Sequence, residues 1–333
     1  MSGVQILEIQ SDQEGMRLDR WLRSLYPQLR QGEIEKLLRK GQIRVDGARA
    51  KSNTRLNRGQ QVRIPPLNTM SDNQKPRRQL AAPAELVAQV HDAIIYQDND
   101  ILVLNKPAGL AVQGGSKTQF HLDGMLDELQ FEADERPRLV HRLDRDTSGV
   151  MVLGRNRKAT AFLTRNFADR QTRKVYWALT HGVPRPEQGD INVPLIKRAA
   201  GDGQERVRIA GDGEGGAMKA MTRFAVLQRA GQEFAWVAFR PMTGRTHQIR
   251  AHALAIGHPL VGDGKYFNAE IETGGALAAK LHLHSAALTI PHPKGGLFHV
   301  EAPLTGHMFE SWQFLGFEPS EAYDPFPEDE VKS

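Results

Sequence analysis

The sequence contains no cysteine and no apolar run that approaches the length of a membrane-spanning helix. The first absence excludes disulfide bonds and thiolate chemistry, and it fits a reducing cytoplasm. The second predicts no membrane segment, since a spanning helix needs about 20 largely apolar residues. The opening residues MSGVQILEIQSDQ lack a basic stretch followed by an apolar one, so we expect no secretory signal.

Acidic residues are scarce in one stretch of the chain, residues 16–65. That stretch holds thirteen Lys or Arg and four Asp or Glu, a net charge of +9, whereas the whole chain carries only +5. The remainder is therefore slightly acidic. A compact basic module joined to a near-neutral body is typical of a nucleic-acid-binding element attached to another function. Ordinary surface charge is the alternative.

The basic stretch begins with a predicted amphipathic helix. In MRLDRWLRSLYP, apolar residues recur at the spacing of one helical face: Leu18, Trp21, Leu22 and Leu25. Asp19 lies off this stripe and four residues before Arg23, where a surface ion pair is expected. A second helix is predicted to end at Gly41. The dipeptide Asp46-Gly47 then predicts a short β-hairpin.

Changes in composition divide the chain into four predicted segments. PLNTMSDNQKPRRQLAAP is polar, contains prolines and shows no periodicity, which predicts a linker. The final EPSEAYDPFPEDEVKS is acidic and predicts a loose tail. The segments are a small α/β-hairpin domain at 15–66, the linker at 67–88, a large domain at 89–317 and the tail at 318–333.

Strand patterns outnumber helix patterns in the large domain. AIIYQ and ILVLNK, separated by the turn DND, predict a β-hairpin, and VYWALTHG, TRFAVLQ, FAWVAFRP and LHLHSAALTI each predict a strand. NRKATAFLTRNFAD predicts a helix whose apolar face comprises Ala159, Phe162, Leu163 and Phe167. Because several neighbouring strands are joined by short turns, the expected fold class is α+β, a mainly antiparallel mixed sheet with packed helices.

Two motifs suggest a cofactor, but their surroundings do not support one. GDGEGG at Gly211 to Gly216 matches the dinucleotide pattern G-x-G-x-x-G, which must open a helix, whereas MKAMTRFAVLQ after it alternates like a strand. His247 and His252 are five residues apart, and a helical metal-ligand pair prefers four. We therefore expect a hairpin loop, no nucleotide cofactor and no metal.

A second basic cluster surrounds the predicted helix of the large domain. Its seven members are Arg155, Arg157, Lys158, Arg165, Arg170, Arg173 and Lys174. They form either the solvated face of an amphipathic helix or a surface that binds phosphates. The sequence leaves both interpretations open.

The tetrapeptide RLDR occurs twice, and its second copy lies in LVHRLDRDTSGVMVLG. Apolar residues on either side predict strands, so the polar stretch is expected to form an ordered loop. Asp144 stands between Arg142 and Arg145, and nearby cations keep a carboxylate ionised when it is partly desolvated. Such a carboxylate can attack a sugar carbon or accept a proton. A purely structural turn is the alternative.

Three motifs together carry a family resemblance. HRLDRDTSGV is followed about thirty residues later by RKVYWAL and about a hundred residues later by MTGRTHQIRAH. In this order and spacing they resemble the ribosomal large-subunit pseudouridine synthases, in the branch with an N-terminal RNA-binding domain of the ribosomal-protein S-four type. KPAGLAVQGG, GHPLVGDGKY and LHLHSAALTIPHP match the same family, and the resemblance extends from about Gly15 to about Trp312.

The resemblance implies the pseudouridine synthase fold and an isomerase that detaches the base of a uridine in RNA, turns it and rejoins it through carbon five. Asp144 is implied as the catalytic carboxylate, either a nucleophile at C1′ or a base at C2′. Tyr176 is implied to stack on the uracil, with a hydroxyl that helps remove the proton from carbon five. Arg245 is implied to pair with Asp144, and Arg142 to hold the target nucleotide outside the stack.

The resemblance also implies RNA, in the first place ribosomal RNA, as the partner, with no metal or nucleotide cofactor. In the basic module, phosphate contacts that position the RNA are expected from Arg17, Lys36, Arg39, Lys40 and Arg44. We expect a monomer in the cytoplasm. A non-catalytic RNA-binding factor of ribosome assembly that keeps the fold is the alternative function.

Overall fold

The described part of the chain, in the computed structural model, comprises residues 4–29, 31–67, 82–114, 118–199, 205–211, 213–267, 277–319 and 325–326. The chain divides into two units, Met1–Arg78 and Gln79–Ser333. Most of the predicted linker, residues 68–81, lies outside the described residues. No helix of the described part is long and apolar enough to cross a membrane.

A four-stranded antiparallel sheet and two α-helices form the first unit. Its elements are β1 (Gln5–Glu8), α1 (Leu18–Leu25), α2 (Gln31–Arg39), β2 (Arg44–Val45), β3 (Ala48–Arg49) and β4 (Gln61–Ile64), with strand order β1-β4-β2-β3. Leu18, Trp21 and Leu22 are buried as predicted, but Leu25 is exposed at the last residue of α1. Because β1 pairs with β4, the unit begins before the predicted boundary at residue 15.

Two polar positions of this unit test the predicted local structure. Asp46 and Gly47 form the expected turn between β2 and β3, and both have the positive φ that a two-residue turn of this twist requires. Asp19 was expected to form a surface pair with Arg23, and this is wrong. Its buried carboxylate accepts hydrogen bonds from Arg17 Nε (3.1 Å) and Nη2 (2.6 Å).

Ten strands of the second unit form one mixed sheet. They are β5 (Ile94–Gln97), β6 (Ile101–Lys106), β7 (Arg138–Leu139), β8 (Ser148–Gly154), β9 (Arg173–His181), β10 (Gln188–Ile191), β13 (Thr222–Ala230), β14 (Phe234–Pro241), β15 (Leu283–Pro291) and β16 (Leu297–Glu301). The main order is β10-β13-β14-β9-β15-β8-β6-β5, with β16 beside β15 and β7 beside β8. Only the β8–β15 pair among the described strands is parallel, which confirms the predicted α+β class.

Helices and a separate hairpin cover this sheet. They are α3 (Ala84–Asp92), a 3₁₀ helix (Leu122–Leu129), α4 (Arg157–Ala168), β11 (Leu195–Ala199) paired with β12 (Glu205–Ile209), α5 (Gln248–Ala255) and α6 (His307–Leu315). The start of α3 occupies residues 84–88, which were assigned to the linker. The helix instead buries Val90 in the core of the second unit. In α4, Ala159 and Leu163 are buried as predicted.

The GDGEGG segment joins β12 to β13, which belong to different sheets, so it is not the loop of a hairpin. Residues 213–221 are not helical, and a dinucleotide-binding turn is therefore absent from this described stretch. The Glu214 carboxylate accepts hydrogen bonds from Arg198 Nη2 and Arg208 Nη2, both at 2.7 Å. These ion pairs hold the turn against the β11–β12 hairpin.

One residue of the predicted loose tail is firmly packed. The side chain of Phe326 is 8% exposed and belongs to a hydrophobic cluster with Val175 of β9, Ala225 and Ala238. Arg173 Nη2 donates a hydrogen bond to the Phe326 carbonyl at 3.1 Å. The acidic composition of the tail gave no indication that Phe326 is buried. Residues 320–324 and 327–333 lie outside the described residues.

Candidate active site

Asp144 lies in the loop between β7 and β8, and backbone contacts fix this loop. The carbonyl oxygen of Arg145 accepts hydrogen bonds from the Gly109 backbone N–H (2.9 Å) and from Lys106 Nζ (3.0 Å). Lys106, fully buried at the end of β6, also donates to two carbonyls of its own KPAGL segment, at 2.7 and 2.9 Å. The loop is thus tied to the end of β6, the strand that pairs with β8.

A second anchor holds the start of β8, where this strand runs parallel to β15. Gly149 has a φ of 104°, and a Cβ atom on it would lie 2.2 Å from the Ser285 carbonyl oxygen. Only glycine permits both the conformation and the close approach. Next to it, the Ser148 hydroxyl is hydrogen-bonded to Nδ1 of the buried His284 at 2.8 Å. The Ser-Gly pair of the motif therefore positions the loop.

The Asp144 carboxylate is partly desolvated and faces positive charge. Its side chain is 22% exposed, and Oδ2 lies 3.7 Å from Arg250 Nη1 and 3.6 Å from His247 Nε2. Burial raises the pKa of Asp144, while the charges of Arg250 and Arg142 oppose this rise. Burial, reinforced by Arg250, lowers the pKa of His247 to about 3. The arginines, and not the neutral histidine, therefore stabilise the ionised carboxylate.

Arg245 is not the arginine beside Asp144, so the predicted pairing is wrong. Its Nε donates to the Lys219 carbonyl at 3.1 Å, and its backbone N–H donates to Gln248 Oε1 at 3.1 Å. Arg245 lies in the turn before α5 and lines the same cavity as Asp144. Arg250 lies inside α5, within ion-pair distance of the carboxylate.

Arg250 is itself held by a second aspartate. Asp263 Oδ2 accepts from Arg250 Nε (2.8 Å), and Asp263 Oδ1 accepts from Nη2 (2.5 Å). The Tyr266 ring lies 5.0 Å from the guanidinium carbon, and its hydroxyl is hydrogen-bonded to His247 Nδ1 at 2.9 Å. One arginine thus joins a fully buried aspartate to the more accessible Asp144.

Tyr176 lies in β9 and lines the same cavity as Asp144. It is paired in register with Ser285 of β15 and Phe239 of β14, so the centre of the sheet supports it. Burial raises the pKa of Tyr176 to about 12, although the Ser285 side chain acts in the opposite direction. The side chain is therefore a neutral phenol with an aromatic face at the cavity.

Two cavities meet at Asp144. The first, of about 350 Å³, is also lined by Arg142, Lys174, Tyr176 and Arg245. Its volume is in the range of pockets that hold small organic ligands. The second, of about 1150 Å³, shares Arg142, Asp144, His247 and Arg250 with the first. It extends along further basic residues of the second unit: Arg145, Arg206, Lys265 and Lys280.

The predicted RNA-facing residues occupy two kinds of position. Arg142 is exposed beside Asp144 and lines both cavities. In the first unit, Lys36, Arg39 and Lys40 are exposed on and just after α2. The other two are engaged with the protein: Arg17 binds Asp19, and Arg44 donates to the carbonyls of Gly41 and Gly47.

The two histidines considered as metal ligands bind other protein groups. His247 contacts Tyr266, and the buried His252 is hydrogen-bonded to the Thr222 hydroxyl (2.9 Å) and to the Val193 carbonyl (3.0 Å). Among the described residues, no three or more His, Cys, Asp or Glu side chains are grouped as a metal site.

This geometry agrees with what the chain is similar to. The family model described as RNA pseudouridylate synthase matches residues 100–255, and the S4 domain model matches residues 16–62. The chain is 36% identical over 318 residues to "Ribosomal large subunit pseudouridine synthase C" of Salmonella typhimurium, covering 94% of this chain and 97% of that protein. The chain belongs to the pseudouridine synthase family. This enzyme is therefore an isomerase that acts on RNA.

Other relatives and solved structures agree with this assignment. The pseudouridine synthase C of Escherichia coli strain K12 is 37% identical over 307 residues, covering 90% of this chain and 93% of that protein. The structure of human RNA Pseudouridylate Synthase Domain Containing 4 has a TM-score of 0.60 at 28% identity, covering 70% of this chain and 97% of that chain. A second human structure, Domain Containing 1, has a TM-score of 0.53 at 27% identity, covering 68% and 95%. The predicted family and fold are confirmed.

Sequence reasoning missed Arg250, Asp263 and Lys106. Arg250 stands in the same motif as Arg245. The only feature of the sequence that could have distinguished the two arginines was a helix that begins between them. Asp263 belongs to GHPLVGDGKY, which was matched to the family without a role for its aspartate. Lys106 ends a fully buried strand pattern, ILVLNK, and a lysine in such a run must find acceptors inside the protein.

Proposed function

We propose that this enzyme isomerises specific uridines of large-subunit ribosomal RNA and that Asp144 acts on the ribose of the target nucleotide. The observation that supports the role of Asp144 is its position in a cavity that also contains the Arg250 guanidinium and the Tyr176 ring. The names of the relatives support the choice of RNA.

The reaction is balanced without a redox partner. The bond from C1′ to N1 of the uracil breaks, the base turns, and a bond from C1′ to C5 forms. C5 loses a proton and N1 gains one, so the product is an isomer of the substrate. Accordingly, we propose that the enzyme uses no metal and no nucleotide cofactor.

Asp144 supplies the negative charge that the ribose step requires. The carboxylate either attacks C1′ as the base departs or removes the proton from C2′, and both routes need the ionised form. Burial makes the ionised carboxylate more reactive, while the charges of Arg250 and Arg142 keep it ionised near neutral pH. Arg250 is the residue that orients the carboxylate, a role the resemblance had suggested for Arg245.

Tyr176 provides a surface for the detached uracil. Its ring offers a flat face, and its neutral hydroxyl offers a polar tip beside the base. The target must leave the helix stack to enter the cavity, which costs a few kcal/mol and least in loops and bulges. Arg142 is exposed and lines both cavities, and in this proposal it occupies the space that the flipped nucleotide vacates.

The first unit contributes RNA affinity in this proposal. Lys36, Arg39 and Lys40 are exposed on one short stretch and contact phosphates without selecting bases. Arg17 and Arg44 take part more weakly, because protein groups already hold them. We further propose that the enzyme acts as a monomer in the cytoplasm, where ribosomes are assembled.

The test compares wild type with Asp144→Asn on a transcript of large-subunit ribosomal RNA, with pseudouridine mapped by mass spectrometry. Asp144→Asn should lower the rate at least about 10³-fold while RNA binding stays within about twofold. Asp146→Asn is the matched control, because Asp146 is an exposed carboxylate in the same loop, paired with Arg145. This variant should stay within about threefold of wild type.

Three results would each overturn part of the proposal. Activity of Asp144→Asn within a few-fold of wild type would remove Asp144 from the chemistry. No loss of any pseudouridine from the ribosomal RNA of a deletion strain would favour the non-catalytic assembly factor. Loss of activity in EDTA would show that a metal is needed after all.

A further inference from the structure

One of the seven basic residues clustered around α4 lies inside the catalytic cavity. Lys174, the second residue of β9, lines it together with Phe167, Asp144 and Tyr176. The exposed members of the cluster lie on or just after α4: Arg157, Lys158, Arg165 and Arg170. The other two members, Arg155 and Arg173, are buried and half-buried and do not line the cavity, so Lys174 is the member of the cluster that does.

Lys174 is held against an aromatic stack. Its Nζ lies 4.9 Å from the centroid of the Phe167 ring. His141 stacks on the same ring, with the centroids 4.3 Å apart and the planes 18° apart, and its Nε2 accepts a hydrogen bond from the Val152 backbone N–H at 2.9 Å. Within the described part of the chain, Lys174 has no carboxylate at ion-pair distance.

In this environment the positive charge of the Lys174 ammonium is not balanced by a nearby carboxylate of the described residues. Burial lowers the pKa of Lys174 to about 8, and burial lowers the pKa of His141 to about 3, so His141 adds no second charge. A cation–π contact stabilises a lysine by about 1 kcal/mol, which is less than the cost of desolvating an ammonium. An anion that enters the cavity would supply the negative charge that the described surroundings of Lys174 lack.

On the basis of the proposed function, we propose that Lys174 binds the RNA phosphate next to the target uridine. Side chains alternate along a strand, so Lys174 and Tyr176 project from the same face of β9, about 7 Å apart. A nucleotide that stacks its base on Tyr176 can bridge this distance with a flanking phosphate. Phe167 and His141 are positioning residues that keep the ammonium at the cavity.

The salt dependence of RNA affinity and of kcat/KM provides the first test. Each phosphate contact in single-stranded nucleic acid adds about 0.7 to the slope of log affinity against log salt. Lys174→Met should therefore reduce the slope by about 0.7 and lower kcat/KM about tenfold near 0.15 M salt. Lys174→Arg keeps the charge and should retain the wild-type slope.

The matched control is Lys158→Met, which removes a lysine charge from the exposed face of α4. It should change the slope by less than about 0.2. If Lys158→Met and Lys174→Met reduce the slope equally, general surface charge explains both and the proposal fails. A loss of kcat in Lys174→Met with an unchanged slope also overturns it, because the contact would then be to the base.

A second test does not depend on the folding of Lys174→Met. Short RNAs around the mapped uridine receive one neutral methylphosphonate linkage at a time, and the wild-type enzyme is assayed on each. One linkage beside the uridine should reduce kcat/KM about tenfold for wild type and for Lys174→Arg. The same linkage should reduce kcat/KM much less for Lys174→Met. If Lys174→Met does not fold, Lys174→Gln takes its place. Equal penalties in all variants would overturn the phosphate contact.

These outcomes are separate from a failure of the proposed function. If wild type forms no pseudouridine in ribosomal RNA, the proposed substrate is wrong. If wild type is active and the slope of Lys174→Met equals that of wild type, only the role of Lys174 is wrong.

Discussion

Arg250 and Asp263 form an ion pair with two hydrogen bonds, Nε to Oδ2 at 2.8 Å and Nη2 to Oδ1 at 2.5 Å. The two side chains are 7% and 1% exposed. The pair fixes the guanidinium plane, so that Nη1 lies 3.7 Å from Asp144. Asp263 therefore orients the cation, and Arg250 supplies the charge that the reactive carboxylate needs.

Replacing Asp263 tests this orientation. Asp263→Asn should lower the free energy of unfolding by about 3 kcal/mol, because it leaves a buried arginine without its main partner. Without this partner the Arg250 guanidinium is no longer held beside Asp144, so the pKa of Asp144 should rise further and the acid limb of the activity profile should move to higher pH. Urea unfolding and a pH–rate profile measure both effects.

An exposed ion pair provides the control for Asp263. Glu187 pairs with Arg229 at 3.3 Å, with both side chains about half exposed. Glu187→Gln should cost less than about 1 kcal/mol and leave the pH profile unchanged. An equally small effect of Asp263→Asn would contradict the orienting role.

The two arginines of MTGRTHQIRAH should differ in their effect on the chemical step. Arg250→Gln should lower the single-turnover rate about 10³-fold or more, because Asp144 loses its nearest cation. Arg245→Gln should lower the rate no more than about tenfold, since Arg245 lines the cavity without contacting the carboxylate. A reversed order would restore the pairing expected from the sequence.

The pH dependence of kcat/KM should reflect the raised pKa of Asp144. Activity requires the ionised carboxylate, so it should be lost as the pH falls through this pKa, above the ordinary aspartate value of about 3.9. The same shift means that ionised Asp144 destabilises the folded state above that pKa. Asp144→Asn should therefore unfold at a higher urea concentration than wild type at neutral pH.

Lys106→Met tests the anchor of the catalytic loop. The substitution removes the lysine donor from the carbonyl oxygens of Pro107, Leu110 and Arg145, of which the last keeps the Gly109 N–H, and it should lower the free energy of unfolding by about 3 kcal/mol. Because one of these carbonyls belongs to Arg145, next to Asp144, kcat should also fall about tenfold or more. Lys197→Met, on the separate β11–β12 hairpin, serves as the control. Urea unfolding and single-turnover rates of both variants provide the comparison.

The sequence alone was sufficient for features with local physical causes. The stripe of Leu18, Trp21 and Leu22 follows from helical periodicity, and the turn at Asp46 and Gly47 follows from its need for positive φ. The alternating strands predicted the antiparallel sheet, and three spaced motifs predicted the family. The prediction that GDGEGG does not open a helix was correct, because apolar and polar residues alternate after it as in a strand.

Tertiary structure decided which charges meet. Asp19 was assigned to the surface because its burial depends on how α1 packs against distant residues, and Phe326 was assigned to a loose tail for the same kind of reason. Arg245 and Arg250 are equally good cations in the sequence, and only the start of α5 at Gln248 separates them. Ion pairing depends on distances of a few ångströms between residues far apart in the chain, and one-dimensional spacing does not encode them.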